Sequence, residues 1–365
     1  MPTKGLRRFM PRASTVVMMA AALALLAIAG YGTKPQWQPW WYAATICDGH
    51  LSASDLADVL PNKRLQAGKE EMGSESGHMK CGVNTDDRHS ALAVDVYSKP
   101  DEVARELNLE FTIPHEPRYV FPKGIPGFYG EFGPLIIQEC PAWGRDPEGR
   151  KQRIVTRVMG NWDKENVTPS SLRIATAMAN AAAAKLHCGA APLPRPKQAM
   201  PDGQKAVPLN GVSGTPCEWI AKAPLPRNKS GTPWKVAVQT DDQAPITACT
   251  LVDAKSGHPM ARFNGWYGDW SDRPFETLVT ANVEIPSGYH HGDALMSEHF
   301  GRATARCDGE PANYQASSYT ADDEQHISGS ELQPLLESFA RDQSKRHGCT
   351  ALKLPTKGVY PNTHL

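Results

Sequence analysis

The chain has 365 residues with 39 basic and 39 acidic side chains, so its formal charge is zero. That balance excludes nucleic-acid recognition by bulk charge, which needs a basic excess to neutralise phosphates. Apolar residues make up 40% of the chain and the mean hydropathy is −0.45, which excludes a multi-span membrane protein and fits two domains with cores of their own.

Residues 1–12 carry Lys4, Arg7, Arg8 and Arg12 without an acid, and an apolar run extends from Thr15 to Ala29. A basic segment ahead of an apolar one is an export signal, and the charge bias places the rest of the chain outside the cytoplasm. Ala27-Ile28-Ala29 is an A-x-A cleavage site and predicts secretion. Continued through Tyr31 and Gly32, the same run just reaches the length of a bilayer span and predicts a single-pass anchor with its N-terminus inside. Residues 1–33 are therefore a signal or an anchor, and residues 34–46 an aromatic juxtamembrane segment. Its Trp37, Trp40, Trp41 and Tyr42 suit an interfacial belt, or equally packing against the first domain.

Beyond Cys47, a Ser-capped apolar pattern ending at Pro61 predicts a short helix over 51–61. Residues 66–79 are polar and Gly-rich and read as a loop or weak hairpin. Alternation predicts strands at 91–97, 135–140 and 153–158. An Ala-rich helix over 170–186 comes next, with Leu172, Ala175, Ala179, Ala183 and Leu186 along one side. Six prolines within 190–216 mark an extended linker. The second half predicts strands at 234–239, 248–252, 260–263, 278–283 and 303–306, then a closing helix over 330–346 bearing Leu332, Leu335, Leu336 and Phe339.

The cysteines reveal a repeat. Cys47, Cys81, Cys140 and Cys188 are spaced by 34, 59 and 48 residues; Cys217, Cys249, Cys307 and Cys349 by 32, 58 and 42. The fourth cysteine of each half opens the same pattern, C-x-A-x-x-L-P, at Cys188–Pro194 and Cys349–Pro355. This is the signature of a tandem duplication, with domains at 47–189 and 217–355 and a tail at 356–365. An even cysteine count in an exported chain reads as a disulfide framework. Eight cysteines allow 105 connectivities, and bridges that match between the two halves leave three. Topology favours first-to-second and third-to-fourth: one bridge pins the incoming chain to a strand, the other pins the last helix to the sheet. The expected pairs are Cys47–Cys81, Cys140–Cys188, Cys217–Cys249 and Cys307–Cys349. Each half then reads as an antiparallel sheet covered by a C-terminal helix, giving an α+β fold of two disulfide-stapled repeats.

No P-loop, G-x-G-x-x-G, G-x-S-x-G or H-E-x-x-H pattern occurs, so no catalytic motif is found and no cofactor is expected. His290, His291 and Asp293 cluster in a segment longer than its counterpart in the first half, which makes them weak metal-ligand candidates and the basis of an alternative as an exported hydrolase or metal-dependent enzyme. Against this, adjacent histidines on an extended chain point to opposite sides. Acidic doublets at Asp86-Asp87, Asp241-Asp242 and Asp322-Asp323 read as solvated turns. Trp266, Tyr267 and Trp270, flanked by Gly265 and Gly268, offer a binding surface for a glycan or a partner, or else fold back on the sheet.

With its export segment, its paired four-cysteine halves, Cys140-Pro-Ala-Trp143 and the helix end Lys185-Leu-His-Cys188, the chain resembles exported, membrane-anchored actinobacterial proteins over about residues 1–355. That resemblance implies compartment and architecture and supplies no catalytic residue. The expected function is a non-enzymatic extracytoplasmic module. Its partners would be an unknown protein or cell-envelope ligand and the membrane itself, with no nucleic acid.

Overall fold

The structure, a computed structural model, describes residues 13–73, 77–112, 119–121, 124–130, 132–147, 149–160, 168–197, 206–228, 231–238, 245–285, 287–319 and 327–356. Its first half contains α1 (Ala13–Gly32), α2 (Lys34–Thr45), α3 (Ala53–Val59), β1 (Leu65–Ala67), β2 (His78–Thr85), β3 (Ser90–Tyr97), α4 (Pro100–Thr112), β4 (Tyr119–Val120), β5 (Gly127–Gly130), β6 (Gly133–Glu139), β7 (Arg153–Gly160) and α5 (Pro169–Lys185). The second contains β8 (Val207–Pro208), β9 (Trp234–Val238), β10 (Ile246–Asp253), β11 (Pro259–Tyr267), α6 (Asp272–Asn282), β12 (Leu295–Met296), β13 (Phe300–Cys307), β14 (Glu310–Ser318), α7 (Gly329–Arg346) and β15 (Thr350–Lys353).

The strands form two antiparallel sheets, ordered β1-β2-β3-β7-β6-β5-β4 and β8-β9-β10-β11-β14-β13-β12, with β15 added to β13. Six successive strands of the first sheet, β1-β2-β3-β7-β6-β5, match β9-β10-β11-β14-β13-β12 in the second, each with its helix inserted after the third strand. The repeat in the cysteines is thus a repeat in topology.

Each sheet is apolar on both faces. On β3, Leu92, Val94 and Val96 face α5, whereas Tyr97 joins a different cluster. Helix α5 opens with a Thr168 cap, whose side chain accepts from the Ser171 amide, and with Pro169 in its first turn. Its small residues Ala175, Ala179 and Ala182 are buried and let the helix lie close on the sheet. Helix α7 covers the second sheet in the same way through Leu332, Leu335, Leu336 and Phe339, behind a Ser328/Glu331 capping box. The remaining faces share one core. Tyr97, Phe128, Leu135, Ile137 and Val155 from the first sheet meet Ile246, Trp266, Leu295 and Phe300 from the second, with Val103 and Leu107 of α4 and Phe275, Leu278 and Val279 of α6.

Four disulfides join Cys47 to Cys81, Cys140 to Cys188, Cys217 to Cys249 and Cys307 to Cys349. Two fasten each incoming chain to β2 or β10, and two fasten the turn after α5 or α7 to the end of β6 or β13. They fit an oxidising, extracytoplasmic environment.

Several expectations are corrected. Residues 278–283 are not a strand but lie largely in α6, because Phe275, Leu278 and Val279 recur at helical spacing and bury against α4 and the sheets. The weak hairpin expected at 66–79 is present, with β1 pairing antiparallel to β2 and a further bridge between Glu71 and Lys80. The stretch read as a linker contains β8, which pairs with β9, and a 3-10 helix at Leu209–Val212; its residues 198–205 lie outside the described set, as do residues 357–365 of the tail. The aromatic segment is helix α2, whose Tyr42 is buried and so forms no part of an exposed belt. Among the described residues no single helix is long and apolar enough to cross a membrane; α1 from Val17 and α2, bent by 81° at their junction, pass that test only together.

The Cys307–Cys349 bridge closes 42 residues. Replacing both cysteines with Ala is expected to lower unfolding free energy by about 4 kcal/mol, read from urea titration of the oxidised protein. The loss falls on the second lobe, where it frees the C-terminus of α7.

Candidate functional site

Of the three aromatics expected to form a binding surface, Trp266 is fully buried and Trp270 nearly so. Trp266 stands edge-on to Phe128 with ring centres 6.3 Å apart, and Trp270 stacks on the same ring at 6.4 Å. Both therefore belong to the shared core. Tyr267 points to the opposite face of β11, where its ring stacks on His347 and its hydroxyl bonds Gln343 on α7. The three form no common exposed surface. Gly265, a loop marker by sequence, lies inside β11, where an added Cβ would come within 2.6 Å of the Tyr267 hydroxyl.

The His290–Asp293 loop is fixed by one buried ion pair. Arg302 on β13 has a fully buried side chain and binds Glu276 of α6; its other amino group donates to Asn313 Oδ1 at 2.7 Å. Glu276 also accepts from the Tyr289 hydroxyl and the Gly292 amide, each at 2.9 Å, and so clamps both ends of the turn. His291 is exposed, with its ring nitrogens 3.7 Å from Asp272 and 3.8 Å from Glu276. His290 is exposed and Asp293 accepts from its backbone amide, while Lys353 stands 3.7 Å from Asp293. The three candidate ligands do not converge, and among the described residues no group of three His, Cys, Asp or Glu is placed to hold a metal ion.

Where the two lobes meet solvent, they leave a groove of about 130 Å³. Val103 and Leu107 of α4 and Trp270 form its apolar floor; Asp101, Asp146, Arg150 and Lys151 lie around it. Arg153 from the first lobe closes one end. It binds Asp269, and its second amino group holds Glu310 at 2.9 and 3.0 Å, both carboxylates belonging to the second lobe. Lys151 bridges in parallel between Glu139 and Glu310. Gly268 permits this junction: its φ is +114°, and a Cβ there would meet Trp270 at 2.7 Å and Arg153 at 3.3 Å.

Asp269 and Glu276, each paired with an arginine, are shifted in opposite directions. Burial raises the Asp269 pKa; Arg153 opposes this, but the neighbouring Glu310 charge reinforces it, and the net shift is upward. Burial also works to raise Glu276, but hydrogen bonds and charge from Arg302 outweigh it with help from the Gly292 amide, and the carboxyl falls below its ordinary range. The sequence carried no sign of the groove, because its residues come from three separate segments, 98–107, 146–153 and 269–270, that only the folded lobes bring together.

No protein-family model, curated protein or solved structure matches the chain.

Glu276→Ala leaves the buried Arg302 guanidinium with only Asp272, at 3.7 Å, as a counter-ion and is expected to cost about 3 kcal/mol, seen as earlier urea unfolding and faster proteolysis within 287–294. Because the Glu276 pKa is depressed on folding, the stability it contributes is present above about pH 4.3 and lost as the pH falls through its folded value. Glu276→Gln should flatten that acid limb in a pH series of unfolding curves.

Proposed function

We propose that the protein is a non-enzymatic binding module of the cell envelope, held outside the cytoplasm at a membrane by α1, whose partner docks in the groove between the two lobes. The observation that carries the reading is the groove itself. It has an apolar floor of Val103, Leu107 and Trp270 within a charged rim, the anatomy of a protein contact. It sits at the junction of two domains, where ligands bind preferentially. The four disulfides support the compartment. The exposed side chains of Val17, Leu23, Leu25, Leu26 and Ile28 support the anchor, since lipid is one of the surfaces that cover a bare apolar helix. Kinship with exported actinobacterial proteins belongs to the same reading. The partner is a protein or peptide that sets an apolar side chain on Trp270 and a positive charge near Asp101, which opens α4 at the rim.

A photo-crosslinking residue placed at Ala104 in the groove is expected to give a discrete adduct in native membranes, while the same residue at the exposed Ala184 of α5 gives none. Asp101→Lys should lower the adduct yield about tenfold, through like-charge contact with the partner. Equal labelling at both positions, or an adduct indifferent to Asp101→Lys, would contradict the groove as the docking site.

A further inference from the structure

Helix α2 has two faces with different tasks. Lys34, Gln38 and Tyr42, four residues apart, lie along one side. Lys34 Nζ donates to the Leu65 carbonyl at 2.9 Å, as does the Tyr42 hydroxyl at 2.9 Å. Gln38 Nε2 donates to the Lys63 carbonyl at 2.9 Å, and its Oε1 accepts from the Leu65 amide at 2.6 Å. These bonds occupy the open side of β1, the edge strand of the first sheet, whose free backbone groups otherwise invite another strand. Gln38 is buried, and Arg64 stacks on Tyr31 at 3.8 Å while donating to its hydroxyl. Helix α2 is therefore fixed to the first lobe rather than tethered beside it.

The other side carries Trp37, Trp40 and Trp41, which are 40%, 67% and 50% exposed. Trp37 Nε1 donates to the Gly30 carbonyl at 3.1 Å, so this is the side on which α2 meets α1. The two helices are bent by 81°. As an anchor, helix α1, 20 residues and about 30 Å long, enters the hydrocarbon layer, and its apolar part from Val17 meets the length of a span only together with α2. If α1 stands along the membrane normal, a right-angled turn lays α2 in the plane of the surface with its indoles at headgroup depth, where Trp is favoured.

We propose that α2 is an interfacial helix whose Trp37/Trp40/Trp41 face is seated in the phospholipid headgroup layer, so that the first lobe is held in a fixed orientation with its β1 edge towards the bilayer. The proposal rests on α1 being the anchor. It commits to lipid because the tryptophan face continues directly into the bare apolar surface of α1, and α2 bears no acidic side chain that lipid phosphates would repel.

The test uses the full chain in vesicles of phosphatidylcholine and phosphatidylglycerol, comparing tryptophan quenching by lipids brominated near the headgroup and near the tail end. Wild type is expected to be quenched most by the shallow label. The triple variant Trp37→Ser, Trp40→Ser, Trp41→Ser should float with the vesicles as before but lose about half or more of that quenching, since the other described tryptophans lie in or against the lobes. Flotation with equal, weak quenching in both chains would overturn the interfacial helix while leaving the anchor intact. It would assign the tryptophan face to a second copy or a protein partner. Failure of wild type to float would overturn the anchor and this proposal with it.

Discussion

The structure depends on a sheet that is apolar on both faces while its own half supplies only one cover. In each half the C-terminal helix, α5 or α7, closes one face. The other presents residues such as Tyr97, Val155 and Ile137, or Trp266 and Phe300, that no element of the same half fully hides. Burying them is favourable by roughly 1.5–3 kcal/mol per large side chain, and the second copy of the fold is what buries them. Duplication therefore solves a packing problem. The equivalent helices α4 and α6 meet each other in that shared layer, as equivalent elements do across a symmetric dimer. The polar groups admitted there are paired: Arg157 with Glu106 from α4, Arg302 with Glu276 from α6, and Arg153 with Asp269 and Glu310 across the lobes.

The disulfides lie outside that shared core. Each fastens a place where the chain enters or leaves a sheet, such as the turn after α7, and all the cysteines except Cys307 and Cys349 are fully buried in the lobes' own cores. The free edge of the first sheet is managed differently, by side chains of α2 that satisfy Leu65 and Lys63. The same bonds fix α2 to that lobe, and Arg64 against Tyr31 ties the lobe to the end of α1.

Much of the fold was legible in the sequence where local pattern and tertiary role agreed. The cysteine register foretold the duplication, β3 and β7 fall where strands were expected although both of their faces are buried, and the apolar stripes of α5 and α7 survive in the structure. Elements serving the shared core were obscured. Helix α6 contains β-branched residues that read as strand, and its helical face is selected by α4 of the other lobe together with its own sheet. Strand β14 buries Asn313 and Gln315 on its inner side and Ala312, Tyr314 and Ala316 on its outer side, so its polar half masked a fully buried strand. The Trp266–Trp270 run looked like an exposed loop because its glycines, needed for the Tyr267 ring and for Trp270 against Arg153, resemble turn markers. Glu276 clamps the histidine turn from a helix whose sequence reads in part as strand, so the insertion looked reactive rather than pinned. The groove was invisible for the same reason: it exists only once the lobes have met.

Calorimetric unfolding of the oxidised protein tests the shared core most directly. If the two inner faces bury each other as described, neither lobe is stable with its face exposed, and both sheets melt in one transition whose calorimetric and van't Hoff enthalpies agree. Two separated transitions, each accounting for one lobe, would contradict the account and show that each half closes its own core without the other.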